Sequence, residues 1–173
     1  LLGNGGNNRG PYISGVYADF SRLGDVSNAG FQTKLSEDTT TNSVCVLDNC
    51  TFNSCGRFPY VGSIQDNGIF SLTNSTWNNP VQDIGGGNKP AFAFDTNTIA
   101  RLPGTGIRVI DKCVVNNGTI GFLGPRDFTI TNNYFGESIQ INSSLPWSIF
   151  DGNFIQKTSQ LLSGFEGDIT NNY

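Results

Sequence analysis

A six-residue frame, apolar-[Asp/Thr]-x-[small or polar]-x-apolar, recurs along this chain, and nothing else in the sequence narrows the folding options as much. A chain that repeats one short unit must stack copies of it, because a single unit cannot bury its own apolar face. Seven segments carry the frame: LDNCTF from Leu47, LTNSTW from Leu72, FDTNTI from Phe94, IDKCVV from Ile110, ITNNYF from Ile130, FDGNFI from Phe150 and ITNNY from Ile169. Their starts are 25, 22, 16, 20, 20 and 19 residues apart. No helical period runs through these windows, whereas apolar-polar alternation flanks each one, as short strands require.

Each column of the frame has a physical reading. The first is always large and apolar (Leu47, Leu72, Phe94, Ile110, Ile130, Phe150, Ile169), which suits a core-facing strand residue. The second is Asp or Thr in all seven copies and alternation places it outside. The third holds mostly Asn or Gly, the residues that best accept left-handed backbone angles, so a tight bend belongs there. The fourth (Cys50, Ser75, Asn97, Cys113, Asn133, Asn153, Asn172) is small and polar, able to bond along a stack and satisfy bend amides that no strand partner reaches. The sixth returns to the core with Phe52, Trp77, Ile99, Val115, Phe135 and Ile155. Composition follows from this unit: Gly, Asn, Ser and Thr make up 73 of 173 residues, yet 36% of the chain is hydrophobic with 13 Phe, enough to anchor a core.

The expected fold is therefore all-β, a parallel β-helix (solenoid) with about seven coils of roughly 20 residues. The stacked Asn ladder at a two-residue bend resembles the right-handed parallel β-helix, or pectate-lyase-like, superfamily, over residues 44 to 173. The organisation expected is one β-helix domain over 1–173, with irregular coils or a cap in 1–43, which opens on the Gly- and Asn-rich LLGNGGNNRG. The resemblance is to a fold shared by enzymes, phage tailspikes and surface proteins, so function must be argued from particular residues.

Asp95 and Asp111 occupy the outward second column on what read as adjacent coils, about 4.8 Å apart at strand spacing. Such a pair would bind Ca²⁺ or share a proton as an acid/base couple on a polysaccharide. The plainer reading is that these Asp residues accept hydrogen bonds at the bend, and the alternation with Thr favours it, since Thr replaces a turn acceptor but not a catalytic carboxylate. The chain also departs from the polygalacturonase branch of the superfamily, whose site combines grouped Asp residues with a Gly-His-Gly segment, because it contains no His. The lyase branches use an Arg or Lys base. Arg101, Arg108, Lys112, Arg126 and Lys157 are the nearest cations, none in a lyase motif, and Arg101, Glu137 and Lys157 form one candidate cluster.

The fifth column ends in Tyr134, Phe154 and Tyr173, an exposed aromatic strip suited to a sugar or a protein partner. Earlier in the same column Thr51, Thr76 and Thr98 resemble the Thr arrays of ice-binding solenoids, on three coils only. Trp77 reads as core and Trp147, after Pro146, as loop. Sequons at Asn49, Asn74, Asn117 and Asn142 are candidate glycosylation sites, in a number that chance explains. The four Cys lack zinc-site spacing and would favour an extracellular or cell-surface setting if paired; Cys50 and Cys113 lie three ladder steps apart, too far for a mutual bond. A net charge of −4 gives no phosphate-binding face, so no nucleic acid is expected, and no apolar run of 18 residues points to membrane insertion.

The last coil stops at Tyr173, one position before its sixth-column residue, and a joined copy would supply Leu1 and Leu2 there. The sequence thus favours an extracellular structural solenoid that self-associates end to end into a filament or surface assembly, with a polysaccharide lyase or hydrolase, or a non-catalytic carbohydrate-binding module, as alternatives. No cofactor beyond the Ca²⁺ option is expected.

Overall fold

The computed structural model describes residues 12–23, 32–33, 44–56, 60–61, 69–80, 90–95, 107–117, 119–123, 128–137, 139–141, 148–157, 160–161 and 168–173. Among the described residues every regular element is a β-strand and every strand pairing is parallel. In chain order the strands are Tyr12–Val16 (β1), Asp19–Ser21 (β2), Gln32–Thr33 (β3), Val44–Asp48 (β4), Thr51–Asn53 (β5), Tyr60–Val61 (β6) and Ile69–Thr73 (β7). They continue as Thr76–Asn78 (β8), Pro90–Asp95 (β9), Arg108–Asp111 (β10), Val114–Asn116 (β11), Thr119–Leu123 (β12) and Thr129–Thr131 (β13). The last six are Tyr134–Phe135 (β14), Ile139–Ile141 (β15), Ile149–Asp151 (β16), Phe154–Ile155 (β17), Gln160–Leu161 (β18) and Asp168–Thr170 (β19).

Three sheets receive these strands in strict rotation. The first is ordered β1-β4-β7-β10-β13-β16-β19, the second β2-β5-β8-β11-β14-β17 and the third β3-β6-β9-β12-β15-β18. Each circuit of the chain therefore lays one strand on each sheet, directly beside the strand of the circuit before. Register keeps like residues in line: Leu47 pairs with Leu72, Leu72 with Ile110, Ile110 with Ile130, Ile130 with Phe150 and Phe150 with Ile169.

The bend between the first and second sheets has the backbone that its sequence demands. Asn49, Asn74, Lys112, Asn132, Gly152 and Asn171 all have φ between 49° and 64°, and so does Tyr17. Asn and Gly enter this region at little cost, whereas Tyr17 and Lys112 are held there by their neighbours. A second bend follows the second sheet, with Arg22, Ser54, Asn79 and Asn117 at φ of 46° to 58°.

Strand alternation sends the first-column residues inward. Leu47, Leu72, Ile110 and Ile130 are fully buried, and the sixth column meets them with Phe52, Trp77, Val115 and Phe135. Parallel sheets stack like on like, so aromatic rings accumulate. Phe20 and Phe52 stack with centroids 5.1 Å apart, and Phe52 stacks on Trp77 at 4.6 Å. Offset stacking of this kind adds to the area term that dominates the core.

Two sequence readings change. The FDTNTI segment is not a copy of the first bend: Phe94 pairs with Val61 and Phe122 at the end of β9, in the third sheet. The real rung between Leu72 and Ile130 is Ile110, and the segment mimicked the frame because β9, alone among the described strands of the third sheet, ends apolar-Asp. Conversely, residues 12–23 hold a rung the frame missed, with Gly15 beside Leu47, Val16 beside Asp48 and Phe20 beside Phe52. Its bend residues, Val16, Tyr17 and Ala18, carry none of the polar markers.

Candidate functional site

Correcting the Phe94 segment separates the proposed carboxylate pair. Asp95 pairs with Leu123 in the third sheet, whereas Asp111 ends β10 in the first, between Thr73 and Thr131. The two acids share no column and are not adjacent. Among the described residues no three His, Cys, Asp or Glu side chains come together as a metal cage would need.

The acids of the outer column instead serve the next rung. Thr73 Oγ1 and Asn74 Nδ2 donate to Asp48 Oδ1 at 2.7 and 2.8 Å. Thr131 and Asn132 repeat this on Asp111 Oδ1 at 2.7 and 2.9 Å, and Thr170 and Asn171 repeat it on Asp151 Oδ1. The Asp/Thr alternation is thus a set of couplets in which an Asp rung accepts from the Thr-Asn of the rung after it. Charge-assisted bonds favour the ionised acid. The Asn74 amide and Thr73 hydroxyl hold the Asp48 carboxyl below its ordinary value, and the Thr170 hydroxyl and Asn171 amide do the same for Asp151. A carboxylate occupied in this way is a poor general acid.

Beside this column runs the inner ladder. Ser75 Oγ accepts the Cys50 N–H at 3.0 Å and Asn133 Oδ1 accepts the Cys113 N–H at 2.8 Å. Asn153 Oδ1 accepts both the backbone and the side-chain N–H of Asn133, and Asn172 Oδ1 accepts both from Asn153. Cys50 and Cys113 are free, buried thiols standing in for Asn, their Sγ aimed at the carbonyls of Gly15 and Leu72 at 3.4 Å. Cys55 plays the same part at the second bend, 3.6 Å from the Phe20 carbonyl. Cys45 is also free, so no disulfide links any of the four. Burial pushes the Cys45 and Cys113 thiols up to about 12.

In the fifth column the three aromatic residues follow one another in register. Tyr134 and Phe154 stack with centroids 5.5 Å apart and planes 5° from parallel, and the Tyr134 hydroxyl donates to Gln156 Oε1 at 2.8 Å. Tyr173 follows in register, its N–H donating to Asn153 O as that of Phe154 does to Asn133 O. Phe154 is 46% exposed and Tyr173 80%. Each stacked ring turns one face to the other. Close by, Lys157 and Glu137 form a salt bridge, while their expected third member, Arg101, lies outside the described residues.

Of the sequon residues, Asn74 and Asn117 are exposed and Asn49 half-buried, but each spends its side-chain amide within the stack. Asn49 donates to Asp48 Oδ2, Asn74 to Asp48 Oδ1 and Asn117 to Asn79 Oδ1. Asn142, Leu1, Leu2, Thr98 and Trp147 lie outside the described residues. A second amide row was not read from the sequence. Asn116 donates to Asn78 and Asn78 to Asn53, both at 3.0 Å. Extending the frame by one residue, to TFN, TWN and VVN, would have exposed it.

No protein-family model, no curated protein and no solved structure matches the chain at a significant level. Fold and site chemistry are therefore the evidence on function.

Proposed function

We propose that this chain is a right-handed parallel β-helix of about seven coils, of the kind its sequence resembles, and that it works as a non-catalytic structural scaffold. The observation that carries this reading is the use of the outer acids: Asp48, Asp111 and Asp151 each hold the Thr and Asn of the next rung. Of the two acids that would form the acid/base pair of a lyase or hydrolase, Asp111 is committed to joining rungs and Asp95 lies in a different sheet. The Tyr134 and Phe154 rings, stacked on each other, likewise join two successive rungs.

The test is a panel of acidic and neutral polysaccharides assayed with the wild type and with Asp111→Asn. The scaffold reading expects no turnover by either protein and a loss of stability in the variant. Turnover by the wild type that Asp111→Asn abolishes would replace it with an enzyme. A crystal structure fixes the handedness and the number of coils.

A further inference from the structure

Asn117 is the one Asn among the described residues that Gly follows in the chain. It stands at the junction of the Leu72 and Ile110 rungs. Among the described residues, the first bend joins these two rungs by backbone bonds and the weak contact of the Cys113 thiol with Leu72 O. The amide side chains that join them lie at the second bend, where Asn116 donates to Asn78 Oδ1 at 3.0 Å and Asn117 to Asn79 Oδ1 at 3.2 Å. Asn117 is the exposed member of this pair and bends the backbone with φ of 58°.

Asn is chemically labile, and most so before Gly, which has no side chain to keep its peptide nitrogen from the Asn Cγ. The bend opposes that reaction. In the left-handed region ψ is about +47°, which holds a residue's side chain and the following peptide nitrogen on opposite sides of the Cα–C bond. Asn117 must therefore leave its bend, and its Nδ2 must leave Asn79 Oδ1, before a ring can close. Local opening of the junction supplies both conditions at once.

We propose that Asn117 is a self-modification site gated by opening of this junction, and that its conversion leaves the junction permanently weakened. The Gly118 nitrogen attacks Asn117 Cγ, and Nδ2 departs as ammonia, taking the Gly118 N–H proton. Water, the only co-reactant, then opens the succinimide at either carbonyl to give Asp or isoaspartate. Asp sets a carboxylate against Asn79 Oδ1, acceptor facing acceptor where a donor stood. Isoaspartate adds a methylene to the main chain between β11, which pairs with β8 and β14, and β12, which pairs with β9 and β15. Those strands then keep their partners only if the bend between them is rebuilt. Either product removes one of the two amide bonds that hold the junction at this bend.

The test holds the protein at pH 8 for days as wild type, as Asn78→Ala and unfolded in urea, and follows Asn117 by peptide mapping. The tryptic segment Cys113–Arg126 carries this Asn-Gly pair and neither of the others, Asn4-Gly5 and Asn67-Gly68, and its fragment masses separate Asn117 from Asn116. Conversion is expected to be slowest in the native wild type, several-fold faster in Asn78→Ala and fastest in urea. The converted fraction is expected to lose hydrogen-exchange protection at the amides of Asn74 and Val114, which the unconverted fraction keeps. Equal rates in native and unfolded protein would overturn the gating, and so would an Asn78→Ala rate equal to that of the wild type. A converted fraction as well protected as the unconverted one would overturn the weakening. If Asn78→Ala does not fold, urea below the unfolding midpoint loosens the junction in its place.

Discussion

Asn153 and Asn133 are joined twice through a single atom: Asn153 Oδ1 accepts the Asn133 backbone N–H at 3.0 Å and its side-chain N–H at 2.8 Å. Both residues are buried, and the Asn153 amide donates in turn to Ile130 O at 2.8 Å. A buried donor that loses its only acceptor costs more than the bond was worth, because water cannot replace it. Asn153→Ala should therefore lower unfolding free energy by about 1–3 kcal/mol in urea titrations. Asn153→Ser should recover part of it, since Ser75 Oγ performs the same service for Cys50. An Ala variant as stable as the wild type would mean that the ladder follows from strand pairing and adds nothing to it.

The parts of this fold that were legible in the sequence are those that only one or two residue types can perform. A left-handed bend selects Asn and Gly, so Asn49, Asn74, Asn132, Gly152 and Asn171 announce it, and Leu47 to Ile169 announce the core column. The alternation of Asp48, Thr73, Asp111 and Thr131 was equally visible, but its cause was not, because the partner of each Asp lies on the next rung, 20 to 25 residues away. Where the chemistry changes, legibility fails. Tyr17 bends the backbone as Asn does, with φ of 54°, and nothing in Val16-Tyr17-Ala18 signals a rung. Asp95 failed in the opposite way, copying the frame at the end of a strand in a different sheet.

The couplets predict an acid-labile stack. Asp48 and Asp151 have carboxyls held below their ordinary value by Thr and Asn donors, so their stabilisation is complete above the unfolded-state value near pH 4 and is lost as pH falls through the folded-state value. Urea midpoints should be flat near neutrality and drop below about pH 4. The Asp48→Asn, Asp151→Asn double variant should be less stable at pH 7 and show a shallower drop. An identical pH profile in the double variant would assign the acid sensitivity elsewhere.

The buried Cys45 and Cys113 thiols should be inert. With Cys45 and Cys113 pushed from 9.0 to about 12, their thiolate fraction near neutral pH falls about a thousandfold, and access is closed as well. Iodoacetamide at pH 8 should leave the native protein unlabelled on these two residues over hours and label them promptly in denaturant, as read by intact mass. Cys113→Ser keeps a donor toward the Leu72 carbonyl and should remain folded, whereas Cys113→Val removes the donor and should lower the midpoint. Fast native labelling of Cys113 would show that the first bend opens far more often than its burial implies.

Among the described rungs from Asp48 onward, the stack has one weak seam, between the Thr73 rung and the Asp111 rung. At the first bend every other described junction from Asp48 onward carries an Asp couplet or an Asn or Ser acceptor. Here the bonds across the bend are backbone ones, Asn74 N–H to Asp111 O at 3.1 Å and Val114 N–H to Ser75 O at 2.9 Å, with the weak Cys113 thiol contact to Leu72 O. The seam is held at the second bend instead, where Asn116 donates to Asn78 at 3.0 Å and Asn117 to Asn79 at 3.2 Å. It also spans the longest step in the ladder, 38 residues against 19 to 25 at the others from Asp48 onward, so closing it costs more chain entropy. Local opening concentrates where few bonds oppose it. Native-state hydrogen exchange should resolve two cooperative blocks meeting at this seam, and Asn78→Ala should lower protection of the amides of Asn74 and Val114 while leaving that of Asn133 unchanged. Uniform loss across all three amides would make the stack a single cooperative unit and the seam a feature of geometry alone.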